Sequence, residues 1–216
     1  MDARARKFSI RRLRRSELPV GTVALTRFLI GKIVVHDLPA GRVSGRIVEA
    51  EAYPPGDPAG HHYRGPTPRI RSMYLAPGHA YVFFNYGAHF MLNVSAEPEG
   101  TAGGILIRGL EPLEGIELMQ RHRKTSRLLD LTRGPGRLAA ALQIDRRHDG
   151  LDLCAPGPLW LGVSIPASAH PIGPIGKTVR IGISRAADRH FRFYERGNVF
   201  VSGPKRLLRP TSLHKG

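Results

Sequence analysis

Short β-rich runs separated by brief turn-forming stretches constrain the middle of this chain to an antiparallel sheet. Lys32 to Asp37 and Gly45 to Ala52 are joined by Leu38-Pro39-Ala40-Gly41, which predicts a hairpin. Ala80 to Asn85 and His89 to Ser95 flank a Tyr86-Gly87-Ala88 tip, and Gly104 to Arg108 reads as a further strand. Helical spacing appears elsewhere. Leu18, Val20, Val23, Ala24, Phe28 and Leu29 predict a helix over Glu17 to Leu29, with Gly31 just past its end. Leu113 to Arg123 has early glutamates and late basic residues that match the helix dipole, and Gly134-Pro135-Gly136 opens a second short helix through Leu142. Leu159 to Val163, Val179 to Ile183, Phe191 to Tyr194 and Val199 to Ser202 complete the set of candidate strands. The predicted fold is a single α+β domain with a curved antiparallel β-sheet, surrounding helices and a protruding β-hairpin.

The arginine-rich residues 1–16 read as a basic N-terminal arm, frayed or forming a solvated first turn. Residues 17–204 form the domain, and residues 205–216 form a basic tail. The 33 Lys plus Arg against 17 Asp plus Glu give a net charge of +16, and arginine predominates. A planar guanidinium grips phosphate bidentately, so the surplus points to nucleic acid, although an idle basic surface is the plainer alternative. Cys154 is the only cysteine, so neither an internal disulfide nor a four-cysteine zinc or iron–sulfur site can form within the chain. With no signal-peptide pattern and no membrane span, a monomeric, cytoplasmic, nucleoid-associated protein is expected.

Whole reaction classes lose their signatures: there is no H-E-x-x-H, no G-x-S-x-G and no dinucleotide fingerprint, and Gly176-Lys177-Thr178 lacks the first glycine of a P-loop. The informative stretch is Arg46-Ile-Val-Glu-Ala-Glu-Ala-Tyr53. Strand alternation places Glu49, Glu51 and Tyr53 on one face and Val48, Ala50 and Ala52 on the other. Alternation alone also describes the solvated face of an edge strand. The neighbouring features favour a site: a Pro/Gly-rich stretch from Pro54 to Pro68 carrying His61 and His62, an aromatic hairpin from Tyr81 to Phe90, and Arg108 closing a strand. Tyr86 at a turn has the form of a wedge that replaces a flipped base. His61 and His62 are poor metal-ligand candidates, because adjacent residues point apart and no third ligand has the right spacing.

The ordered set of motifs resembles the alkyladenine (3-methyladenine, or methylpurine) DNA glycosylase family. The motifs are Arg46 to Tyr53, His62-Tyr-Arg-Gly65, Pro77-Gly78 with Tyr81-Val82, Tyr86-Gly87 with Met91 to Ser95, Leu106 to Gly115, Gly134-Pro135, Arg180-Ile-Gly182, and Arg192-Phe-Tyr194 with Gly197. The similarity runs from about Gly21 to about Ser202. It implies hydrolysis of the N-glycosidic bond of a damaged purine in double-stranded DNA, with no metal or other cofactor. Glu51 would be the general base, with Arg108 helping to hold the water. Tyr53 and His62 would stack on the two faces of the extruded base, Phe83 would line the pocket, and Asn93 would guard its floor against the guanine amino group. Tyr86 would fill the vacated stack, and Arg69 and Arg71 would contact the DNA. Phe83 stands where the family usually has a tyrosine, and the Pro54 to Pro68 loop is shorter than in the mammalian members. With no lysine nucleophile beside these motifs, the expected product is an abasic site without strand cleavage. A basic nucleic-acid-binding protein without catalysis is the alternative from a different class, and a metal-dependent nuclease using Glu49, Glu51 and the histidines is a third.

Overall fold

The structure is a computed structural model that describes residues 8–85 and 87–204. Tyr86, the start of the basic arm and the tail at 205–216 lie outside the described residues. Among the described residues nine strands form one antiparallel sheet. They are β1 (Ser9–Arg12), β2 (Ile33–Leu38), β3 (Gly41–Tyr53), β4 (Ala80–Asn85), β5 (His89–Ser95), β6 (Gly104–Glu114), β7 (Leu159–Ile165), β8 (Ile175–Thr178) and β9 (Arg192–Glu195). The main order is β1-β7-β2-β3-β6-β5-β4. The long β3 pairs with β6 on one side. On the other it pairs first with β2, through Arg46, and then with β9 at residues 49–51. Helices α1 (Thr22–Leu29), α2 (Ile116–Arg123), α3 (Leu129–Thr132) and α4 (Pro135–Ala141) complete the α+β domain. None of the described helices is long and apolar enough to cross a membrane.

Helices α1 and α4 cover one face of the sheet, where Leu25, Leu29, Leu138 and Leu142 pack with Ile47, Ala50, Leu92, Val94, Ile105, Ile107 and Leu110. Side chains alternate along each strand, so the residues between these core positions face the other way. On β4, β5 and β6 the outward set is Tyr81, Phe83, Met91, Asn93, Leu106 and Arg108, and these line a cleft.

Ile47 and Ala50 share the core although unbroken alternation would separate them. The pairing explains this. Ile47 lies opposite Leu110, Glu49 opposite Gly109 and Ala50 opposite Ile107, so β3 has an extra residue at Val48 and β6 has one at Arg108. A β-bulge shifts the phase of everything beyond it. Here the bulge turns Glu49, Glu51 and Tyr53 away from the core while Val48 packs on Tyr194, Phe200 and Val201. Gly109 sits at this irregularity because a Cβ there would lie 2.8 Å from the Phe200 carbonyl oxygen.

Leu113 and Glu114, expected to open a helix, extend β6 instead, and four other local expectations change. Residues 9–12 of the basic arm form a strand paired with β7, and Ile10 packs near Trp160, Ile33 and Val35. The first helix begins at Thr22, not Glu17, because Gly21 adopts φ +92 and the Glu17 carboxylate accepts from the Arg14 N–H and the Arg11 guanidinium. Residues 179–183 and 199–202 are not strands. Their polar groups bond instead to buried acids: Ile181 N–H donates to Glu51, and Ser202 N–H and hydroxyl donate to Glu49.

The close approach at Gly109 predicts that Gly109→Ala costs about 1–3 kcal/mol, because a backbone carbonyl cannot rotate aside as a side chain can. Thermal unfolding should therefore show a lowered Tm. An unchanged Tm would show that residues 198–202 are not held tightly against β6.

Candidate active site

A cleft of about 800 Å³ opens on the sheet face that carries Tyr81, Phe83, Met91, Asn93, Leu106 and Arg108. One wall is aromatic. Phe83 stacks on Tyr81 with ring centres 5.4 Å apart, and His61 meets Phe83 edge-on at 4.6 Å. Tyr53, the last residue of β3, forms part of another wall with residues 181–185, while Asn93, Leu106 and Arg108 contribute polar and apolar floor. This mixture of rings with polar groups in about equal measure suits a flat ligand with polar edges.

Glu51 is fully buried and is not itself a wall residue, so the expected carboxylate facing the cavity lies one layer behind it. It is nevertheless held by the wall. The Tyr53 hydroxyl donates to Oε2 at 2.9 Å, Arg108 Nη1 reaches the same oxygen at 3.3 Å, and Ile181 N–H donates to Oε1 at 2.8 Å. Tyr53, Arg108 and Ile181 all line the cleft. Burial pushes the Glu51 pKa up, and the Glu49 charge adds to this; the Arg108 charge and the Ile181 and Tyr53 donors oppose it without cancelling it. Tyr53 is also driven up, first by burial and then by the adjacent carboxylate, so its hydroxyl stays a neutral donor.

Glu49 faces the same way as Glu51 but has a different environment. It accepts from Ser202 N–H at 2.6 Å, Ser202 Oγ at 3.0 Å, Arg108 Nε at 3.3 Å and Arg192 Nη1 at 3.3 Å. Those donors come from β6, β9 and the segment after β9, so Glu49 is a knot between them. Arg108 bridges the two carboxylates.

His62, the histidine expected to stack, does not line the cleft, and His61 does. His62 is buried outside the cleft, with Nε2 2.9 Å from the Pro54 carbonyl oxygen and its ring filling the space that a Gly60 side chain would need. His61 takes the cleft position and shares a 2.9 Å hydrogen bond between Nδ1 and the Tyr81 hydroxyl. Of the two adjacent histidines only His61 reaches the cavity. The nearest sequence signal is Gly60, whose missing side chain admits the His62 ring. Partial desolvation in the wall lowers the His61 pKa, and the nearby Arg69 and His62 lower it further, which favours a neutral ring. Tyr81 was not singled out for the cleft, yet it places a hydroxyl beside Phe83.

Phe83 and Asn93 line the cleft, with Asn93 Nδ2 donating to the Tyr81 carbonyl at 3.1 Å. Arg69 and Arg71 are exposed on the helical turn Pro68–Tyr74, outside the cleft lining, where Arg69 Nη2 donates to the Phe84 carbonyl at 3.1 Å. The structure also brings in Arg180, named above only within a motif. Its guanidinium carbon lies 4.6 Å from the centre of the Tyr53 ring.

Comparison with known proteins identifies the family. The family model described as methylpurine-DNA glycosylase matches residues 17–199. A protein of Mesorhizobium japonicum, named by inference 3-methyladenine DNA glycosylase, is 62% identical over 193 residues, covering 89% of this chain and 91% of its own. One of Paraburkholderia phytofirmans with the same inferred name is 52% identical over 196 residues, covering 91% and 90%. A third, from Rubrobacter xylanophilus, is 45% identical over 83% of this chain and 91% of its own. The match spans every strand of the cleft, and the chain therefore belongs to the methylpurine-DNA glycosylase family, the hydrolytic DNA N-glycosylases of DNA repair.

Proposed function

We propose that this chain turns a damaged purine out of double-stranded DNA into the cleft and hydrolyses its N-glycosidic bond with water activated by Glu51, leaving an abasic site. The observation that carries the reading is a buried carboxylate of raised pKa held by three cleft-wall groups behind an aromatic pocket. The transition state is a sugar oxocarbenium with a departing base. A carboxylate beside that sugar accepts the proton of the incoming water and stabilises the developing cation. In the free protein the Tyr53 hydroxyl covers Oε2, so the reading requires this hydroxyl to yield its place to a water shared with Arg108 when a base enters.

The base lies between Tyr53 on one side and His61 with Phe83 on the other. These rings hold a cationic or electron-poor alkylpurine more strongly than a normal base. Asn93 stands against the exocyclic amino group of guanine. Tyr86 fills the vacated stack, and Arg69 and Arg71 take phosphates. The substrates this serves are 3-methyladenine, 7-methylguanine, hypoxanthine and ethenoadenine, with eversion cheapest where the lesion already weakens pairing. Every group invoked belongs to one chain, so a monomer suffices.

Glu51→Gln should lower single-turnover release of 7-methylguanine from duplex DNA by about 10²–10⁴-fold with binding retained. Release at the native rate would remove Glu51 from the chemistry, and native release should survive EDTA. Because 7-methylguanine already carries its positive charge, its rate should show one acidic limb. That limb should lie above the ordinary glutamate value of about 4.3, and a limb at or below that value contradicts the assignment.

The same variant makes a stability prediction. A carboxyl whose folded pKa is raised contributes its full stability below the unfolded pKa and loses it as pH rises through the folded value. Gln stays neutral throughout. Glu51→Gln should thus melt at or above the native protein at pH 7 and converge with it near pH 4, as measured by Tm against pH. A lower Tm at pH 7 would show that the charge is net stabilising.

A further inference from the structure

Residues 179–191 adopt no regular strand or helix, yet residues 181–185 form one wall of the cleft. A wall without a ladder needs other anchors, and two buried acids supply them. Glu51 accepts the Ile181 N–H, and Asp57 pairs with Arg180 where both side chains are wholly buried. Arg180 Nη1 donates to Asp57 Oδ2 and, at 2.9 Å, to the Ala52 carbonyl. Nη2 donates to Asp57 Oδ1 at 3.1 Å and to the Ala186 carbonyl at 3.3 Å. The guanidinium also lies against the rings of Tyr53 at 4.6 Å and Phe191 at 5.4 Å. One side chain thus joins the end of β3, the loop carrying His61, and the irregular wall.

We propose that Arg180, held by Asp57, is a positioning residue that fixes the Tyr53 ring from the side away from the cleft and sets the Ile181 N–H on Glu51. It rests on the reading of Glu51 as the base. A buried ion pair is weak grounds for stability, since removing both charges from water offsets much of their attraction. What this site uses is a shape that only arginine has: a fork that bonds four acceptor positions at once and a flat face that lies against a ring. Lysine keeps the charge and loses both. Slack in this support would move the stacking ring and withdraw a donor from Glu51, and small misplacements of reacting groups cost rate steeply.

The test is single-turnover release of 7-methylguanine across pH by the native protein, Arg180→Lys, Asp57→Asn, Tyr53→Leu, the Arg180→Lys/Tyr53→Leu double variant and Glu51→Gln. Arg180→Lys should lose roughly tenfold in the maximal single-turnover rate at the pH plateau, with a smaller change in the half-saturating concentration. Its acidic limb should move to higher pH, because a carboxylate that loses a donor holds its proton more tightly, and Asp57→Asn should move it the same way. In the Tyr53→Leu background the plateau loss from Arg180→Lys should largely vanish. A native rate and limb in Arg180→Lys, or a full tenfold loss persisting without Tyr53, overturns the proposal. In the native protein, where no fold can be lost, the Ile181 amide proton should titrate at the midpoint of the acidic limb, and an amide that does not move overturns it too. If Glu51→Gln releases base at the native rate, the Glu51 reading fails and this inference falls with it. If Glu51→Gln is inactive while Arg180→Lys is native-like, only this inference fails.

Discussion

Two carboxylates, Glu49 and Glu51, are buried on the outward face of one strand, and the surrounding fold is organised to satisfy them. An unpaired buried charge is far costlier than any ordinary packing defect. Each acid therefore recruits donors from distant parts of the chain: Arg108 from β6, Arg192 from β9, Ser202 from the segment after β9, and Ile181 from the irregular wall. Those contacts explain why residues 179–183 and 199–202 leave regular structure. They also explain how the C-terminal third is drawn across the sheet to close one side of the cleft.

The two acids are close in sequence but differ in chemistry. Glu49 meets four donors, two of them guanidinium groups, and acts as a tie between elements. Glu51 shares Arg108 with it, and its other partners are a neutral hydroxyl and a backbone N–H, so burial prevails over compensation. The two acids thus divide into a tie between elements and a carboxylate held by the cleft wall. The bulges at Val48 and Arg108 make that division possible, since they turn both acids out of the apolar core while leaving Ile47 and Ala50 inside it.

Much of this was legible in the sequence because it depends on alternation and turn chemistry. The β2–β3 and β4–β5 hairpins and the strand at Gly104 follow from period-2 patterning and turn residues, whereas the expectation that Tyr53, Phe83, Asn93 and Arg108 share one cavity came with the family resemblance. What escaped depends on side chains replacing ladders. Val179 to Ile183 has β-rich composition, but its Arg180 and Ile181 bind buried acids, a competition that no local pattern records. His61 and His62 differ only by which side of a short turn each occupies, and that is fixed by packing on Gly60. Arg11 and Arg12 read as solvated charge, yet their backbone completes an edge pairing with β7.

The proposed hydrolysis turns on the protonation behaviour of one side chain enclosed behind the cleft wall. A ¹³C NMR titration of the Glu51 carboxyl carbon in the folded, DNA-free protein measures it directly, with the Glu51→Gln spectrum fixing the resonance assignment. The predicted result is a single transition above the ordinary glutamate range of about 4.3. A transition at or below that range would mean that the donors outweigh burial, and Glu51 would then be a fixed anion in place of a poised base.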